Sequence, residues 1–167
     1  MKCELGRVFC YLEKRCPRVS FIDNYLENGM SKIAGGCLCG EVRYESLAEP
    51  VMQVVCHCKN CQRQTGAAAS PLVGIPRTQF TVNRDALSSY TSLADSGMSV
   101  QRFFCGKCGS PIHSDLAALP ELTFVKAGTL DDGSWLNPTL NIWCDSAAKW
   151  TVFAETAIKI SQNPPMS

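Results

Sequence analysis

The sequence predicts a mostly-β domain with short helical turns, stapled by zinc, and three observations carry that prediction. Short apolar or alternating runs recur at close intervals with Gly, Pro, Asn or Asp between them. Helical patterning is confined to brief stretches. Cysteine is far above chance, 11 of 167 residues, and much of it falls in close-spaced groups. With 46% hydrophobic and 19% charged residues, the chain has the composition and length of one domain able to bury its own core.

A formal charge of +1 provides no electrostatic footprint for nucleic acid or an anionic membrane, so neither is an expected partner. The N-terminal residues Met1 to Arg7 lack a continuous apolar core of the secretory type. No stretch approaches the roughly 20 apolar residues of a membrane span. The cysteine count is odd and the chain is long for a disulfide-stapled mini-domain. A reducing, cytoplasmic setting with cysteines as metal ligands is therefore expected, with a secreted disulfide protein as the alternative. Oligomeric state has no signature in the sequence.

Taken in order, residues 1–30 form an extension unlike the rest, with Cys3, Cys10 and Cys16 at spacings that match no compact zinc pattern. A short helix from Phe9 to Tyr25, broken at Pro17, is the reading there. The domain proper spans 31–160, beginning at Lys32 with strand-like sequence. Glu41 to Glu45 alternates with period two, and Val51 to Val55 is a β-branched run feeding into Cys56. Lys59 to Thr65 is polar and closed by Gly66, which predicts one or two helical turns with a glycine stop. Leu72–Ile75, Phe80–Val82, Leu87–Thr91 and Ser99–Phe104 are further strands. Leu122 to Ala127 is a clear strand, Gly128 to Gly133 a turn, Thr139 to Cys144 a late strand, and Trp150 to Phe153 another. A frayed tail is expected over 161–167.

The cysteines sort into two groups. Residues two apart on a strand share a face, so Cys37 and Cys39 can grip one ion with the Cys105-x-x-Cys108 knuckle. Four thiolates from distant parts of the chain make a closed structural site whose metal binding is coupled to folding. Cys56 and Cys58 likewise share a face, and Cys61 follows at knuckle spacing, which provides three thiolates and no evident fourth. The same alternation turns His57 away, as a packing or supporting residue. His113 and Cys144 are candidate fourth ligands without a supporting pattern. Three protein ligands and an open position suit a zinc that accepts water or substrate. Three thiolates on Zn²⁺ sum to −1, which makes a poor Lewis acid but a good anchor for an incoming thiol. A second closed zinc site and a redox Cys58-x-x-Cys61 pair are the alternatives.

Three segments carry a resemblance. They are Gly36-Cys37-Leu38-Cys39-Gly40-Glu41-Val42-Arg43-Tyr44, Cys56-His57-Cys58-Lys59-Asn60-Cys61-Gln62-Arg63-Gln64-Thr65-Gly66-Ala67, and Arg102-Phe103-Phe104-Cys105-Gly106-Lys107-Cys108-Gly109-Ser110. They resemble the glutathione-dependent formaldehyde-activating enzyme family (GFA), as do Gly128 to Asp132 and Ile142-Trp143 through Trp150. The resemblance runs from about Ser31 to Phe153 and implies an Mss4-like β-tent with two zinc ions. It implies a structural zinc on Cys37, Cys39, Cys105 and Cys108, and a catalytic zinc on Cys56, Cys58 and Cys61 beside a glutathione site. The implied reaction joins glutathione to formaldehyde as S-(hydroxymethyl)glutathione, or reverses it, as a carbon–sulfur lyase. Asn141 stands where His is expected and Lys149 where proline is common.

Glutathione carries two carboxylates, so its pocket calls for cationic donors. Lys59 and Arg63 beside the three-cysteine stretch are the first candidates, ahead of Arg43, Arg77 and Arg102, for each of which a solvated surface charge is the plain reading. Thr65, Gly66 and Ala67 are expected to offer backbone amides to a carboxylate. Trp135, Trp143 and Trp150 are read as core residues, and Cys144 as a buried apolar cysteine. The reading is a zinc enzyme acting on adducts of a small thiol, with a non-catalytic two-zinc interaction or metal-handling module as the alternative.

Overall fold

The computed structural model describes residues 33–163. The expected helix from Phe9 to Tyr25, and the extension over 1–30, lie outside the described residues. Within them the chain is mostly β, as expected. The strands are β1 (Ile33–Gly36), β2 (Arg43–Ser46), β3 (Met52–Cys56), β4 (Ser70–Pro76), β5 (Phe80–Val82), β6 (Leu87–Leu93), β7 (Ser99–Cys105), β8 (Pro111–Leu116), β9 (Leu122–Lys126), β10 (Leu140–Ile142) and β11 (Ile158–Lys159), with the helix α1 (Lys59–Thr65) between β3 and β4. No described helix is long and apolar enough to cross a membrane.

The strands form two sheets. The smaller is the antiparallel β1-β2-β5, and the larger runs β11-β10-β3-β4-β9-β8-β7-β6. In the larger sheet β10 is parallel to β3 and sets Ile142 opposite Cys56, while β4 lies antiparallel on the other side and sets Ser70 opposite Cys56. The two sheets share one core. Ile33, Val42 and Tyr44 of the β1–β2 hairpin pack with Val73, Ile75, Ile112 and Val125 of the larger sheet, and all but Ile33 and Tyr44 are wholly excluded from solvent. The central strands are buried on both faces, which is why β9 reads as a nearly continuous apolar run.

Several expectations need correction. Strand β8 had no sequence signature, because Pro111-Ile112-His113-Ser114-Asp115-Leu116 mixes polar residues into a strand whose His113 and Ser114 are buried. Trp150 to Phe153 is not a strand, and Trp150 and Val152 are 75% and 93% exposed. Trp135 is likewise exposed rather than core, and Cys144 is only half-buried. The late strand stops at Ile142, because Trp143 takes a left-handed φ of 58° and starts a 3₁₀ turn. The tail is pinned as far as Asn163 rather than frayed. Trp143 N donates to Gln162 O at 3.0 Å, and the Trp143 indole donates to Asn163 Oδ1 at 2.9 Å.

Gly35 is crowded by its strand partner Tyr44 and by the turn that follows β9. A Cβ there would collide with the Tyr44 hydroxyl and the Thr129 carbonyl, whose residues are joined by a 2.9 Å hydrogen bond between Tyr44 Oη and Thr129 Oγ1. Gly35→Ala is expected to cost about 1–3 kcal/mol or more through overpacking, measured by urea unfolding. Gly40→Ala, at a φ of 81° with nothing within 4 Å, is expected to cost only about 1–2 kcal/mol.

Candidate metal centres

The first sulfur cluster joins two turns. Cys37 and Cys39 follow β1 in a turn closed by Gly40, where Cys37 N donates to Val42 O at 3.0 Å and Val42 N donates to Cys37 Sγ at 3.2 Å. Cys105 ends β7, and Gly109, at φ 76°, lets its own N–H return to Cys105 O at 2.8 Å. The two turns meet directly. Leu38 N donates to Ser110 Oγ at 3.1 Å, and Lys107 pairs with Glu41 at 2.6 Å. The Sγ atoms of Cys37, Cys39, Cys105 and Cys108 all lie within 4.8 Å of one another, with Cys37–Cys39 at 3.4 Å and Cys39–Cys105 at 3.7 Å. Four sulfurs about 2.3 Å from a tetrahedral zinc stand about 3.8 Å apart, whereas a disulfide needs about 2.05 Å. The donor set fits zinc. Hydrogen bonds from the Ser110 hydroxyl and backbone N–H pull the Cys108 thiol down to about 5, toward the thiolate a metal requires.

The second cluster is built at a strand-to-helix junction. Cys56 closes β3, Cys58 caps α1 by accepting from Cys61 N at 3.3 Å, and Cys61 sits in the first turn of that helix. Their three Sγ atoms also lie within 4.8 Å of one another. With protons on the sulfurs, the negative charge settles on Cys58, whose thiol is pulled down to about 2 by hydrogen bonds from Cys56 and Cys61. The Cys56 thiol is pushed far up because it donates to Cys58 and Cys61. Such a cluster is already part-way to the deprotonated donor set of a metal.

Strand alternation places His57 as expected. It is 2% exposed, its Nε2–H donates to Asn141 Oδ1 at 3.0 Å, and its ring meets Phe153 edge-on at 5.3 Å. The residue at 141 thus has a definite task, since its own amide N–H donates to Thr139 O at 3.3 Å. Neither His113 nor Cys144 joins the three sulfurs. His113 stacks on Phe103 at 4.2 Å and bonds to Thr123, and Cys144 Sγ lies 3.5 Å from Asn141 O.

Sequence reasoning missed Lys126. Lys126 is 5% exposed at the end of β9, and its ammonium donates at 3.4 Å to the Oγ of Ser70, the residue that pairs with Cys56. Burial pulls this ammonium below the usual lysine range. The charges of Cys61, Cys56 and Cys58 oppose that fall, and Arg102 adds to it. A buried cation therefore stands against the three sulfurs, whose metal-bound charge of −1 was reckoned from the cysteines alone. The signal was available in part, for a strand buried on both faces leaves its lysine no solvent side.

The other predicted contacts divide. Arg63 lines a cavity of about 360 Å³ with Asn60, Gln64, Tyr90, Ser92 and Arg102. Lys59 does not line it, because its ammonium donates to Gln62 Oε1 and Ser146 O, each at 3.1 Å. The amides of Gly66 and Ala67 are already engaged, by Gln62 O at 2.8 Å and Thr65 Oγ1 at 3.3 Å, so they do not await a carboxylate. Arg43 pairs with Asp131 and Arg77 with Asp115. Arg102 is no solvated surface charge. It is 8% exposed and donates to Ser92 Oγ at 2.7 Å.

Residues 32–146, which hold both clusters, match the family model described as glutathione-dependent formaldehyde-activating enzyme. The chain belongs to that family. Relatives in Penicillium rubens and Podospora anserina, provisionally named glutathione-dependent formaldehyde-activating enzymes, are 27% identical over 125 residues and 28% identical over 127 residues. Each alignment covers 70% of this chain, but only 64% and 58% of the respective relative. A solved Rhodobacter sphaeroides protein aligns with 63% of this chain and 91% of its own, at 23% identity and a TM-score of 0.49.

Elemental analysis is expected to find about two zinc ions per chain in the wild type and about one in Cys58→Ser, with little change in thermal midpoint. Cys105→Ser is expected to lose the fold along with the metal. Lys126→Met, which keeps the volume and removes the charge, is expected to weaken zinc retention at the three-cysteine cluster about tenfold or more in chelator competition.

Proposed function

We propose that this chain is a cytoplasmic zinc enzyme of the carbon–sulfur lyase type, acting on adducts of glutathione or a related small thiol with formaldehyde. Zinc on Cys37, Cys39, Cys105 and Cys108 would hold the fold, and zinc on Cys56, Cys58 and Cys61 would do the work. The observation that carries this reading is the convergence of three sulfurs, and only three protein donors among the described residues, beside a cavity that contains two arginines. Names borne by relatives agree in kind.

Zinc held by these three cysteines would lower the pKa of an incoming thiol and favour its thiolate form. The chain's own residues prepare the rest. Cys56 and Lys126, at 4% and 5% exposure, close the inner side of the site to water, while the partly exposed Cys58 and Cys61 leave the α1 side open. The Lys126 ammonium offsets the negative charge that three thiolates and a fourth from substrate would accumulate. In the addition, the thiol gives up its proton, the sulfur bonds to the aldehyde carbon, and the carbonyl electron pair moves to oxygen, which takes a proton. Reversal breaks the same carbon–sulfur bond and returns thiol and aldehyde.

Thiols add to formaldehyde without help, so the test must be a rate. Exchange between glutathione and S-(hydroxymethyl)glutathione, followed by NMR magnetisation transfer, is expected to be accelerated by the zinc-loaded wild type. Cys58→Ser, still folded, is expected to return it to the background rate. Equal rates with both proteins would instead support a non-catalytic two-zinc module.

A further inference from the structure

The cavity between α1 and the β6–β7 ribbon holds an unbalanced set of polar groups. Arg102 occupies an inward-facing position of β7, next but one to the buried Val100, and its one hydrogen-bond partner is the neutral Ser92 hydroxyl at 2.7 Å. No acidic side chain among the described residues pairs with Arg102 or Lys126, although both are more than nine-tenths buried and the Arg102 charge disfavours that of Lys126. A guanidinium out of water without a counter-ion keeps an uncompensated desolvation penalty until an anion completes it. Arg63, two residues after Cys61 in α1, brings a second guanidinium to the same cavity. Gln64 adds the opposite need, because its Oε1 is buried with no hydrogen-bond donor.

We propose that this cavity is the binding site for the α-amino-acid head group of the thiol substrate, with Arg102 and Arg63 on its carboxylate and Gln64 Oε1 on its ammonium. The proposal deepens the reading of the three-cysteine cluster as the thiol site and rests on it for where the sulfur goes. Helix α1 links the two, since Cys61 lies between Asn60 and the Arg63-Gln64 pair, and Lys126 lies within electrostatic reach of both Arg102 and the three sulfurs. The selected substrate would be a thiol that carries a zwitterionic amino acid, such as a γ-glutamyl thiol, over neutral thiols of the same length.

S-methylglutathione separates this claim from the reaction, because it keeps the head group and has no thiol to transfer. Calorimetry on the zinc-loaded protein is expected to find it bound, and its diethyl ester bound about tenfold or more weakly. Arg102→Met is expected to remove that preference by weakening the free acid alone, and Arg102→Lys to restore part of it. Arg63→Met, at an exposed helical position that does not threaten folding, is expected to show the same loss in smaller degree. N-acetylation of the ligand is expected to weaken binding to the wild type, and to do so less in Gln64→Leu. If the diethyl ester binds the wild type as well as the acid does, or if both arginine variants keep the wild-type preference, the proposal is wrong. Head-group binding that depends on Arg102 in a chain without exchange activity would overturn the reaction and leave this site standing. Exchange activity in a chain indifferent to Arg102 and Arg63 would do the reverse.

Discussion

Four sulfurs from two turns converge where the two sheets of this protein meet. The β1–β2 turn belongs to the small sheet and the β7–β8 turn to the large one, and the cluster of Cys37, Cys39, Cys105 and Cys108 is where they meet. The hydrogen bond from Leu38 N to Ser110 Oγ and the Lys107–Glu41 ion pair add directional contacts, but exposed pairs of that kind contribute little alone. A small three-stranded sheet buries its inner face poorly by itself, and a metal on the four sulfurs would cross-link it to the larger one. Val42 and Tyr44 reach Val73, Ile75 and Val125, and the core closes over both sheets.

That closure sets the geometry of the second cluster. Strand β3 is held between β10 and β4, so the end of β3 is fixed and Cys56 with it. The chain then leaves the sheet, Cys58 caps α1, and Cys61 returns a third sulfur to the same point. Alternation in β3 sends His57 to the other side, where Asn141 and Phe153 hold its ring. The same alternation in β7 turns Arg102 inward with Val100. One periodicity thus separates His57 from the sulfur site and turns Arg102 into the adjoining cavity.

Much of this was legible in the chain. The spacing of seven cysteines separated the two clusters, the polar run closed by Gly66 marked α1 at its observed bounds, and period two distinguished His57 from its neighbours. Strand β8 was not legible, because buried His113 and Ser114 find their partners across the sheet and look like surface residues in one dimension. Trp135 and Trp150 misled in the opposite sense, since an aromatic side chain records an appetite for burial and not its satisfaction.

Local spacing could decide which sulfurs act together, because a turn of a few residues confines its donors to one point whatever the rest of the chain does. It could not decide the charge those sulfurs face. Lys126 comes to the three-cysteine site on β9, and Arg102 to the adjoining cavity on β7, strands far from it in sequence. Whether the Lys126 cation meets water or sulfur depends on which strands pair and which faces are covered. Electrostatic energy depends on distance through space and on exclusion of solvent, and both are properties of the assembled sheets. The ligands were therefore written in the cysteine pattern, and their electrostatic setting came with the fold.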